Sequence, residues 1–134
     1  MFLEFLNDEL KEMCIELAIN LASSDGNFSQ KERLLIEGYC TDAGVDYDFR
    51  KEVLPLQAII EYLVIEANIT EKKIIVFEMT RLAVIDNVFH ENEKDFINDL
   101  AVQFGIEEDF VHKCEETVEE YVAVQEKMNL LVLN

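Results

Sequence analysis

Positive charge is scarce in this chain. Eleven lysines and arginines stand against 29 aspartates and glutamates, giving a net charge of −18. Binding nucleic acid by neutralising phosphates needs clustered cations, so the balance argues against direct contact with DNA or RNA. An anionic membrane surface is disfavoured for the same reason. Such a field favours cations and basic protein surfaces instead. Tryptophan is absent, proline occurs once and glycine four times. No Pro/Gly/Ser-rich stretch breaks the chain, so residues 1–134 are expected to form a single domain.

No uncharged apolar run approaches the roughly 20 residues that a membrane-spanning helix needs. The opening "MFLEFLNDELKEM" carries acids among its apolar residues and lacks a basic leader and a small-residue cleavage site, unlike a signal peptide. Cys14, Cys40 and Cys114 are odd in number and far apart, with no Cys-x-x-Cys. They read as small buried apolar groups in a reducing compartment, and a cytoplasmic location is expected. Catalytic constellations are also missing. There is no phosphate-cradling glycine loop, no serine elbow and no two-metal His/Asp array, and the only histidines are His90 and His112. No enzymatic activity is expected.

What is present is helical periodicity, almost throughout. Leu3, Leu6, Leu10, Met13, Leu17 and Leu21 step by three or four, with Glu4, Asp8, Glu9, Lys11, Glu12 and Glu16 on the wet face. Ser29 to Glu32 forms a capping-box sequence that opens a second helix, ending at Gly44. Asp46 and Asp48 are expected to open a short third helix. Pro55 fits the first turn of a fourth, and Thr70 caps a fifth. A sixth spans about Glu91 to Phe104 and stops at Gly105. The last begins near Glu107, with a stripe of Phe110, Cys114, Val118, Tyr121, Val122 and Gln125 and a solvated face of Glu115, Glu116, Glu119 and Glu120. The apolar tail "MNLLVLN" is expected to add an extended segment or to meet a neighbour. The expected fold is all-α, a compact bundle of about seven helices.

The chain also repeats itself. Residues 21–49 and 82–110 align without gaps at an offset of 61, with nine identities. Chance would give about two. The identities include Leu21/Leu82, Ala22/Ala83, Asp25/Asp86, Phe28/Phe89, Glu32/Glu93, Ile36/Ile97 and Gly44/Gly105. Two copies are too few for a solenoid, so two halves related by a pseudo-twofold axis are expected. Phe28 and Phe89 would staple the helix starts. Most of the shared residues suit core, turn or cap duty. In the second copy, however, Ser29 is replaced by His90, a poor cap, while Asp86 and Glu93 are retained. If the axis brings the corners together, Asp25, Glu32, Asp86 and Glu93 form a four-carboxylate cluster. Each pair of charges a few Å apart would repel by roughly 1–4 kcal/mol at intermediate dielectric. A divalent cation, a basic partner or shared protons would relieve this; for an ion, hard oxygen ligands select Ca²⁺, Mg²⁺ or Mn²⁺ over zinc or copper. An EF-hand is rejected, because the loop beginning at Asp25 has Gln30 where glycine is needed and Ile36 where glutamate is needed.

The pattern Leu-Ala-x-x-Asp-Gly…Phe-Ser-x-x-Glu, returning as Leu-Ala-x-x-Asp-Asn…Phe-His-x-x-Glu, resembles the TerB-like (tellurite-resistance protein B) family. The match covers about residues 10 to 125. Resemblance implies a compact seven-helix fold with related halves, a cytoplasmic stress-response role and divalent-ion binding at acidic positions that correspond to Asp25, Glu32, Asp86 and Glu93. It supplies no reaction. Asn87 and His90 depart from the first copy's Gly26 and Ser29. The expected function is thus a non-enzymatic module that binds a divalent cation or a protein. The competing expectation is an acidic decoy that mimics nucleic acid and blocks a basic protein.

Overall fold

The computed structural model describes residues 2–24, 29–85 and 91–134. Among these the chain is all-helical: a 3₁₀ turn at Leu3–Phe5, then α1 (Asp8–Ala22), α2 (Gln30–Ala43), α3 (Leu56–Glu66), α4 (Ile69–Ile85), α5 (Glu91–Gln103) and α6 (Glu108–Leu133). α1 and α4 lie at the centre. α1 touches α2, α3, α4 and α5, while α4 packs most extensively on α6 and also meets α5 and the 3₁₀ turn.

Local chemistry sets most helix ends. Asn7 caps α1 by accepting the Leu10 N–H at 2.9 Å. Ser29 and Glu32 form the expected reciprocal capping box on α2. A second box starts α4: Asn68 Oδ1 accepts the Glu71 N–H and Glu71 Oε1 accepts the Asn68 N–H, both at 2.9 Å. Asn68, and not Thr70, is therefore the cap of that helix. Pro55 precedes α3 as its N-cap residue. Its fixed φ needs no N–H partner there.

Gly44 and Gly105 both sit at φ 71°. Each ends its helix with the same pair of bonds: Gly44 N–H to Thr41 C=O and Val45 N–H to Cys40 C=O, then Gly105 N–H to Val102 C=O and Ile106 N–H to Ala101 C=O. An added Cβ would meet nothing within 4 Å at either glycine. Gly44→Ala and Gly105→Ala are therefore expected to cost about 1–2 kcal/mol each from left-handed backbone strain alone. Chemical denaturation checks this. A neutral substitution at either site would contradict it.

Three further expectations are corrected. No helix begins at Asp46 or Asp48; residues 45–48 have no regular structure and a turn follows. There Asp48 Oδ1 accepts the Arg50 N–H at 2.9 Å and the Arg50 Nε–H at 3.0 Å. This side-chain-closed turn competes with a helix start. The tail is not extended, because α6 continues to Leu133. Glu16 does not belong to a wet face, being only 1% exposed. Residues 14–19 of α1 are all buried, so the helix is covered on every side over this stretch, while Asp8 and Glu9 in its first turn remain exposed.

Candidate functional site

Helix residues that flank the two repeated corners share one cleft. Glu93, in the first turn of α5, lines a narrow cleft with Leu21 and Ala22 from the end of α1, Ile36 of α2, and Leu82 and Ala83 from the end of α4. The last turns of the two central helices thus meet the second turn of α2 and the first turn of α5. The positional match extends beyond the sequence identities: α1 and α4 start at Asp8 and Ile69, and α2 and α5 at Gln30 and Glu91, each pair 61 residues apart.

The expected ligands divide into two groups. Glu32 is half-exposed and its Oε1 accepts the Ser29 N–H at 3.2 Å. It therefore already serves as a cap. Glu93 is half-buried against the α1–α2 corner. Asp25 and Asp86 lie outside the described residues, as do Gly26, Asn87, His90 and the expected staples Phe28 and Phe89. Among the described residues, no group of three or more His, Cys, Asp or Glu side chains is placed to hold a metal ion. His112 is on the surface of α6, 2.9 Å from Glu116.

A polar centre that periodicity does not predict lies between α1, α2 and α4. Glu78 of α4 is fully buried. Its Oε1 accepts the Phe2 N–H at 2.7 Å and its Oε2 accepts the Tyr39 hydroxyl at 2.6 Å. Arg81 Nη2 lies 3.0 Å from Oε2 and its guanidinium stacks over the Tyr39 ring at 5.3 Å. Burial pushes the Glu78 pKa up, but the Tyr39 and Phe2 donors and the Arg81 charge outweigh it and hold the carboxyl below its ordinary value. Burial, then the neighbouring Cys14 and Glu78, push the Tyr39 hydroxyl upward, so it stays a donor.

A second buried carboxylate faces the 45–54 segment. Glu16 Oε1 accepts the Leu54 N–H at 3.2 Å and the Tyr47 hydroxyl at 3.4 Å. Its Oε2 has no partner among the described residues. Lys51 covers the same segment, over the Tyr47 ring and paired with Glu12. These contacts tie the irregular 45–54 segment to α1.

All three cysteines are buried free thiols. Burial pushes Cys40 and Cys114 up to about 11, and Cys14 further still, so none is a nucleophilic thiolate near neutral pH.

A cleft of about 380 Å³ opens between α4 and α6. Ile74 and Phe77 form one wall, Phe110, Cys114 and Thr117 the other, Phe2 closes one part, and Lys73 and Lys113 stand at the rim. Phe2 meets Phe77 edge-on at 5.2 Å, and Lys73 lies over Phe110 at 5.8 Å. Burial keeps the Cys114 thiol protonated near neutral pH, and Lys73 and Lys113 are both exposed.

Comparison with protein-family models, curated proteins and solved structures gives no match. The resemblance to TerB-like proteins therefore rests on the repeated phrase and its spacing. Among the described residues no helix is long and apolar enough to cross a membrane.

Proposed function

We propose that the chain is a non-enzymatic TerB-like module of a stress-response system, and that its two acidic corners bind one divalent cation between them. The supporting observation is that Glu93 lies against the α1–α2 corner, in the same cleft as Leu21, Ala22, Leu82 and Ala83. A pseudo-twofold relation between α1–α2 and α4–α5 would then bring Asp25, Glu32, Asp86 and Glu93 to one place. The equal spacing of the helix starts and the matching glycine ends support that relation. Carboxylate oxygens are hard donors, so the ion would be Ca²⁺, Mg²⁺ or Mn²⁺. Glu32 can serve as cap and ligand together, because the cap uses one carboxylate oxygen. Glu116 and Glu119, exposed on α6, favour a basic surface as the protein partner.

An ion bound only by the folded state raises stability by about 2.7 kcal/mol at a hundredfold excess over its dissociation constant. Thermal unfolding with chelator and with each ion tests this. The wild type is expected to gain stability with one of the ions. Asp25→Asn and Asp86→Asn should lose the gain but unfold normally in chelator, since asparagine still makes the turn. Equal response of wild type and variants would return these residues to turn and cap duty.

A further inference from the structure

Among the described residues nothing buries the C-terminal half of α6, where Val122 alone is partly covered. No residue after Val118 is buried, yet Tyr121–Leu133 continues the helix, about 20 Å at 1.5 Å per residue. A helix this short is marginal in water and draws its stability from packing of an apolar face. That face is present. Cys114, Thr117, Tyr121, Val124, Met128 and Leu131 alternate steps of three and four, the spacing of a coiled-coil seam. The first two form a wall of the α4–α6 cleft. The last four are 43%, 52%, 52% and 83% exposed. One apolar stripe thus begins inside a cleft and continues as a bare helix.

We infer that the occupant of this surface is α6 of a second copy of the chain, running antiparallel. The charges flanking the stripe select both partner and direction. Glu120 and Lys127 occupy the same flanking position in successive heptads. In an antiparallel pair these positions face each other, so Glu120 meets Lys127 of the second copy and the reverse contact forms by symmetry. In a parallel pair Glu120 would face Gln125 and Lys127 would face Val132, with no charge match. Glu116, Glu119 and Glu126 fall on outward positions. The antiparallel register sets Tyr121 opposite Val124 of the second copy, Thr117 opposite Met128 and Cys114 opposite Leu131. The end of each α6 then enters the other copy's cleft. Its last turn, Leu130–Leu133, is apolar on every side and highly exposed, which suits a cleft walled by Ile74, Phe77 and Phe110 better than a flat seam. The contact is isologous and closes as a twofold dimer. It is independent of the acidic corners.

Sedimentation velocity of the full chain at about 0.15 M salt, where screening is within about 8 Å, tests this. Wild type is expected to be a dimer at tens of micromolar. Met128→Glu with Leu131→Glu, both at exposed positions, should give a monomer that still unfolds cooperatively and loses at most the helical signal of the C-terminal half of α6. Lys127→Glu should weaken the dimer at least tenfold by setting Glu120 against a like charge. Adding Glu120→Lys to that variant should restore it. A wild type that is monomeric at about 100 µM overturns the proposal. So does a dimer that survives the double glutamate substitution, or a charge reversal that fails to restore association.

Discussion

Replacing Glu78 with alanine is expected to cost about 3–5 kcal/mol, the usual penalty for breaking a buried, hydrogen-bonded ion pair. Three donors lose their acceptor at once: the Phe2 N–H, the Tyr39 hydroxyl and the Arg81 guanidinium. Against a typical stability of about 5–15 kcal/mol, that is a large share. Glu78→Gln retains an acceptor oxygen but not the charge, so an intermediate loss is expected. The pH dependence has a defined sign. The folded pKa of Glu78 is lowered from an unfolded value near 4.3. Its contribution is therefore fully present above the unfolded value and is lost as pH falls through the folded one. Urea unfolding at neutral pH and in acid measures both effects. A loss below about 1 kcal/mol for the alanine variant, or a wild-type-to-variant difference that grows in acid, would contradict this account of the polar centre.

The second large effect belongs to the apolar core. Ile36 and Ile97 are equivalent in the repeat and are 2% and 0% exposed. Each truncation to alanine is expected to cost about 2–5 kcal/mol, through lost transfer free energy and the cavity left behind. Denaturant midpoints should fall by similar amounts for the two variants, with the slope unchanged. A loss under about 1 kcal/mol at either site would mean that the residue lies outside a close-packed core.

The features legible in the sequence are those decided within a few residues. Ser29 and Glu32 specify a capping box, and Gly44 and Gly105 specify helix ends, because backbone sterics and orphan amides act locally. Asn68-Ile-Thr-Glu71 carried the same signal and was passed over for Thr70. The short helix at Asp46–Asp48 failed for an instructive reason. In the second copy Asp109 pairs with Lys113 four residues on, at 2.9 Å, and supports α6. In the first copy the residue four beyond Asp48 is Glu52, and Pro55 follows. Like charges and a proline remove the support, and the Asp48 turn wins.

Burial of Glu16 and Glu78 could not be read from periodicity. It depends on which helices become central, and the stretch of a helix that neighbours cover on every side, such as residues 14–19 of α1, must bury whatever polar groups it carries. The candidate corner site was legible as a repeat of Asp25/Asp86 and Glu32/Glu93. The nearness of the corners is a matter of tertiary packing that no local pattern encodes.

The most direct measurement of the central proposal is calorimetric titration of chelator-treated protein with Ca²⁺, Mg²⁺ and Mn²⁺, read for stoichiometry. Convergence of the two corners on a shared site predicts saturable binding of one ion per chain, abolished by either Asp25→Asn or Asp86→Asn. No saturable heat at millimolar ion, or two independent sites each removed by only its own variant, would contradict it.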